Sequence, residues 1–122
     1  MRTAVIIALL LTWTQVAKAE VVAHPHGCPA RNFCGCGLSV HFFGKPIRDL
    51  WLARNWLRFP KAMASDGMAA VKHGGHHVFG LLRHIAGDTW MVYDANSGGH
   101  RTRIHPRSIR GYTIVNPHGR KW

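Results

Sequence analysis

Apolar and polar positions along the chain fall into two textures that meet near Asp66-Gly67. Before that point the apolar residues cluster at helical spacing; after it they come in short runs broken by Gly and Asn. Asn32 is placed to cap a helix whose first turn holds Phe33, Cys34, Gly35 and Cys36, and Gly44 with Pro46 stops it. A second helix is expected to open at Asp49, to bury Leu50, Trp51, Ala53, Trp56, Leu57 and Phe59, and to end at Pro60. Gly35 and Gly37 weaken the first helix by ~1 kcal/mol each relative to Ala.

The second half reads as strands over Met68 to Val71, His77 to Arg83, Thr89 to Asp94, Arg101 to Ile104 and Tyr112 to Val115. Turns are expected at Gly74-Gly75, Gly87-Asp88, Asn96 to Gly99 and Pro106 to Gly111. Helices first and an antiparallel meander second make an α+β layout, with N-terminal helices packed on a small sheet. The segment from Glu20 to Arg31, rich in His, Pro, Gly and Ala, reads as an irregular entry.

The first nineteen residues have a different pattern. Met1 and Arg2 make a positive start, Ala4 to Trp13 is apolar, and Ala17-Lys18-Ala19 supplies the small residues of a cleavage site. This reads as a secretory signal peptide over 1–19, leaving one domain over 20–122 and no transmembrane span after cleavage. The apolar run is shorter than the ~20 residues that a membrane span needs.

Composition changes the picture in two ways. The 122 residues carry 16 Lys plus Arg against 5 Asp plus Glu, a formal charge of +11, so an anionic partner is expected. Nucleic acid is not expected for an exported chain with no helix-turn-helix, zinc-finger or aromatic RNA-binding signature. The arginines crowd one segment, Arg101, Arg103, Arg107 and Arg110 with His100 and His105, which reads either as a track for an anionic envelope polymer or as a charged, solvated strand edge.

Three cysteines cannot all pair within one chain. Cys34 at a helix start sits where the positive end of the helix dipole favours a thiolate nucleophile. The alternatives are a disulfide from Cys28 to Cys34 or Cys36, or a zinc site on all three thiols, for which Cys-x-Cys is an unusual spacing. Cys28 paired with Cys36 is compatible with a free Cys34. His77 opens an apolar strand after the Gly74-Gly75-His76 turn and can act as general base for a facing thiol. Strand alternation sends His76 the other way. After the next strand, Asp94-Ala95-Asn96 offers side chains to orient the imidazole.

The order of a Cys-Gly pair at a helix start, a His-Val pair opening a strand and an Asn after the next strand resembles the papain-like cell-wall hydrolases of the CHAP and NlpC type. Small exported bacterial proteins of that superfamily share blocks similar to Phe33-Cys34-Gly35, Leu52-Ala53-Arg54-Asn55-Trp56, Gly75-His76-His77-Val78 and the stretch from Arg103 to Gly111. The resemblance covers roughly Ala30 to Pro117. It implies a papain-like fold and a cysteine amidase or endopeptidase acting on peptidoglycan, periplasmic or secreted, with no cofactor and no metal. Cys34 would be the nucleophile, His77 the base and acid, and Asn96 the orienting residue. From the charge pattern alone, Arg101, Arg103 and Arg107 are the residues expected to face an anionic substrate. Cys36 stands where an aromatic or other bulky residue is more common, and Phe79 where a small one often follows the His-Val pair. The rival reading is a catalytically silent basic module that binds wall or membrane with its cysteines in disulfides; a third is metal buffering by ten histidines and three cysteines.

Overall fold

A computed structural model describes residues 18–119. The expected leader therefore lies, apart from Lys18 and Ala19, outside the described residues. Among those described, no helix is long and apolar enough to cross a membrane.

The fold is α+β, with one six-stranded antiparallel sheet and few helices. In chain order the elements are β1 (Glu20–Val22), α1 (Cys34–Phe43), two short 3-10 helices (Arg48–Leu50 and Ala53–Arg58), β2 (Ala69–Lys72), β3 (Val78–Ala86), β4 (Thr89–Asp94), β5 (Thr102–Ser108) and β6 (Tyr112–Val115), followed by a last 3-10 turn (Pro117–Gly119). The sheet order is β1-β5-β4-β3-β2-β6. β2 to β5 form the expected meander; β6 then crosses over to pair with β2, Ala70 opposite Ile114.

Pleating divides the strand residues between two faces. On one face Ala69, Val71, Val78 and Tyr93 pack under Phe33, Cys36 and Leu38 of the α1 region and Trp56 of the second 3-10 helix. Opposite them Ala70, Phe79, Leu81, Trp90 and Val92 form a second apolar cluster with Met68, Ile109, Tyr112 and Ile114. The register carries this outer face from apolar to polar: Trp90 pairs with Arg107, Val92 with His105, and Asp94 with Arg103.

Three local expectations are corrected. The segment from Asp49 to Pro60 is two 3-10 helices rather than one α-helix, with Leu52 in an extended conformation between them. Side chains take the carbonyls that an α-helix would need: the Trp56 indole N–H donates to the Leu50 carbonyl at 2.9 Å, and the Asn55 amide donates to that of Asp49 at 2.8 Å. Leu57, expected inside, is exposed. The entry segment contains a strand, β1, whose Val21 pairs with Arg103 on β5. Finally, β5 runs through Pro106 to Ser108 instead of turning at Pro106. β1 covers β5 only from Thr102 to Ile104, so Pro106 lies on an open edge, where a residue without an N–H is tolerated.

Candidate active site

Cys34 is the first residue of α1 and is buried. The residue before the helix is Phe33, with no side-chain cap; Asn32, expected as the cap, instead takes a positive φ of 49°. Gly37 sets the helix against the sheet, since a Cβ there would lie 2.4 Å from the Ala95 Cβ. At Gly35 a Cβ would lie 2.1 Å from the Leu50 carbonyl oxygen. The space left by these glycines is thus filled by the chain itself. That tight seat places the α1 N-terminus beside the end of β4.

The three thiols are divided between two states. Cys28 and Cys36 form a disulfide, Cα to Cα 5.8 Å, and Cys34 is free. With two of the three thiols in a bond, the zinc reading loses its ligand set. No group of three His, Cys, Asp or Glu among the described residues is arranged to hold a metal ion.

His77 stands just before β3, its carbonyl accepting the Lys72 N–H that closes the β2–β3 turn. The imidazole is hydrogen-bonded to Cys34 and, through Nε2, to Asp94 Oδ1 at 2.5 Å. Nε2 is thereby engaged, which leaves Nδ1 as the ring nitrogen for the thiol. Burial disfavours the imidazolium. The hydrogen bonds and charges of Asp94 and Cys34 outweigh that cost and push the His77 pKa up to about 9. A proton on this ring is thus retained well above neutral pH.

Asp94 is the hub that sequence reasoning passed over in favour of Asn96. It is fully buried at the end of β4. Oδ1 faces His77; Oδ2 accepts from His105 Nε2 at 2.7 Å and from Arg107 Nη1 at 2.9 Å. Burial alone would raise its pKa, but the hydrogen bonds and charge of His77, with bonds to His105 and Ser97, hold it well below the usual carboxylate range. Asn96 lies two residues on, at φ 55°, with its side-chain oxygen 3.3 Å from His100 Nδ1. The group hydrogen-bonded to His77 is therefore Asp94, and Asn96 borders the site as a wall residue. One signal was present in the sequence: Asp94 is in phase with Trp90 and Val92, so strand alternation aims a carboxylate at an apolar face, and such a group must find partners.

No protein-family model, characterised protein or solved structure matches this chain.

The site opens through two recesses that share Asn96. One, of about 200 Å³, holds Cys34 with Asn32, Trp51, Ala53 and His76. Asn32 and Asn96, both at positive φ, thus flank the thiol; strained backbone of this kind gathers at working sites. The other, of about 330 Å³, lies across the outer face and is lined by His77, Lys72, Arg103, Arg107 and Tyr112. The arginines expected to face an anionic partner differ in commitment. Arg101 is exposed. Arg103 donates through Nε and Nη2 to Ser97 Oγ at 3.2 and 2.8 Å. Arg107 is tied to Asp94 and to the Tyr112 hydroxyl at 2.9 Å and lies over the Phe79 ring. Arg107 is thus a structural partner of the carboxylate as well as a wall of the recess. Phe79 is fully buried on the outer face and narrows neither recess.

Proposed function

We propose that the protein is an exported cysteine amidase or endopeptidase of papain-like architecture that acts on amide bonds of peptidoglycan. The observation that carries this reading is the chain of contacts from a free thiol at a helix start to His77 and on to a fully buried Asp94. Nucleophile, base and orienting group follow the geometry of an activated cysteine. The free Cys34 also favours an enzyme over the silent binding module, whose premise was that its thiols are tied up. Peptidoglycan as substrate rests on the resemblance to the CHAP and NlpC hydrolases, on the leader pattern and on the basic charge.

In this mechanism His77 enters the cycle as the imidazolium that its raised pKa gives it, the proton of Cys34 already on the ring, and the thiolate attacks the amide carbonyl carbon, forming a C–S bond. The oxyanion is held by backbone N–H groups at the start of α1, ahead of Gly37, whose own N–H already donates to the Phe33 carbonyl. Collapse of the adduct breaks the C–N bond, and the leaving amine takes the proton from the His77 imidazolium. A water molecule, deprotonated by His77, then attacks the thioester; the acid is released and the thiol restored. Asp94 holds the ring and its positive charge throughout.

The test is muropeptide release from purified sacculi. Cys34→Ser and His77→Ala each abolish release, and the double variant is scarcely worse than either single one, because groups that act as a unit are not additive. His76→Ala, whose exposed ring shares the Cys34 recess, has a mild effect. Full activity in His77→Ala overturns the mechanism. A wild-type protein with a titratable Cys34 that releases nothing from any wall preparation overturns the substrate.

A further inference from the structure

The outer-face recess beside His77 has a charge balance that the catalytic geometry does not require. Lys72, Arg103 and Arg107 line it, and among the described residues that do so there is no carboxylate. Asp94 lies beneath, fully buried, and both its oxygens are taken by His77, His105 and Arg107. Arg103 is different: its side-chain bonds run to a neutral hydroxyl, Ser97 Oγ, so its charge is unneutralised there. Lys72 is exposed at the end of β2. Strand register puts both cations on the same face: Lys72 is opposite Tyr112, and Arg103 is opposite Asp94.

The remaining acidic residues are remote or turned away. Glu20 pairs with Ile104, which packs into the α1-side core, so it belongs to the other face from Arg103. Asp88 is paired with Arg110 at the far end of β4. Asp49 borders a separate pocket with Arg58 and Asn116, and Asp66 lies in the loop before β2. Like charges facing one another cost stability unless a ligand of opposite sign comes between them. Gly98 keeps the rim low, since a Cβ there would lie 3.2 Å from Arg103 Nη2.

We propose that this recess is an anion subsite in which Lys72 and Arg103 hold a free carboxylate of the peptide substrate next to the bond that Cys34 attacks. The assignment of the carboxylate to a peptide rests on the function proposed above; the anion subsite itself does not. It makes the enzyme selective for stems with a free carboxylate over the same stems amidated at that group, because His77 and the two cations share one recess. Arg107 contributes field to the subsite but is committed to Asp94.

Two readouts separate the parts. Alkylation of Cys34 by iodoacetate and by iodoacetamide compares an anionic with a neutral reagent of nearly equal size. The iodoacetate-to-iodoacetamide rate ratio is expected to fall about fivefold in Lys72→Gln and again in Arg103→Gln, the scale of a single exposed charge interaction. Arg103→Lys, which keeps the charge, retains most of the ratio, and added salt lowers it in the wild type. A ratio that is unchanged in both Gln variants overturns the subsite. In the second readout, muropeptides with free and with amidated stem carboxylates are compared; preference for the free form is expected through KM, and its absence in an active enzyme overturns the peptide assignment. If the reagent ratio responds as expected but no muropeptide is cleaved, the anion subsite stands and the peptidoglycan reading falls.

Discussion

Two aspartates bracket β4, and they differ in almost everything but side chain. Asp88, in the turn before the strand, is 54% exposed and pairs with Arg110, itself 85% exposed, at 3.0 Å. Asp94, the last residue of the strand, is fully buried and bound by two histidines and an arginine. A carboxylate in water needs no partner, so the Asp88 pair gains little over its solvated halves. A carboxylate stripped of water must be compensated on both oxygens, and its partners become fixed in turn. For His77 that compensation is also an orientation. The surface pair decorates the sheet; the buried one holds the ring that faces the only free thiol among the described residues.

The largest expected effect separates the two carboxylates by substitution. Asp94→Ala leaves His77, His105 and Arg107 without their shared acceptor and is expected to cost about 3 to 5 kcal/mol, the scale for breaking a buried charged network. Urea denaturation measures the loss, and the rate of Cys34 alkylation at neutral pH should fall with it. A loss below ~1 kcal/mol would place Asp94 in the class of Asp88.

Next in size is the pH dependence. The His77 pKa is raised from 6.5 to about 9, so its contribution is complete below 6.5 and is lost as pH rises through 9; at its fullest this is ~3 kcal/mol. Asp94 is shifted the other way: its contribution is present above the ordinary carboxylate value of 3.8 and disappears as pH falls through its lowered pKa. Stability should therefore hold between about pH 4 and 6.5, decline toward pH 9, and in His77→Gln lose the alkaline decline. Thermal melts across this range decide it, and an alkaline decline that persists in His77→Gln would assign it to other groups.

The smallest effect is at the exposed end. Arg110→Gln should cost less than ~0.5 kcal/mol and the difference should vanish in high salt. A larger, salt-resistant loss would show that the two ends of β4 are less different than their burial implies.

Much of the framework was legible from local pattern. The boundaries of β4 and β6 agree with the alternation and turn residues, β2 and β3 differ by a few positions, and α1 forms despite Gly35 and Gly37 because its inner face is buried against the sheet. The second helix was misread because its periodicity is helical, whereas the decisive bonds run from the Trp56 and Asn55 side chains to backbone carbonyls. β1 was invisible for another reason: its partner lies some eighty residues along the chain, and no local signal records that pairing.

The sequence by itself determined an α+β layout, an odd cysteine count, a strong positive charge, and a cysteine and a histidine at the starts of a helix and a strand. Local propensity, hydrophobic period and composition suffice for these, because each depends on neighbours within a few positions. Only the tertiary structure decided that Cys28 pairs with Cys36 and that Asp94 rather than Asn96 holds His77. It also turned Arg107 inward while Arg103 and Lys72 kept their charge on the recess. These outcomes depend on burial and on which groups meet across the sheet. A carboxylate and a carboxamide two residues apart look interchangeable along the chain, but β4 ends at the carboxylate and Asn96, at φ 55°, has already left the strand; only Asp94 is held in the interior, where desolvation forces it to bind His77, His105 and Arg107.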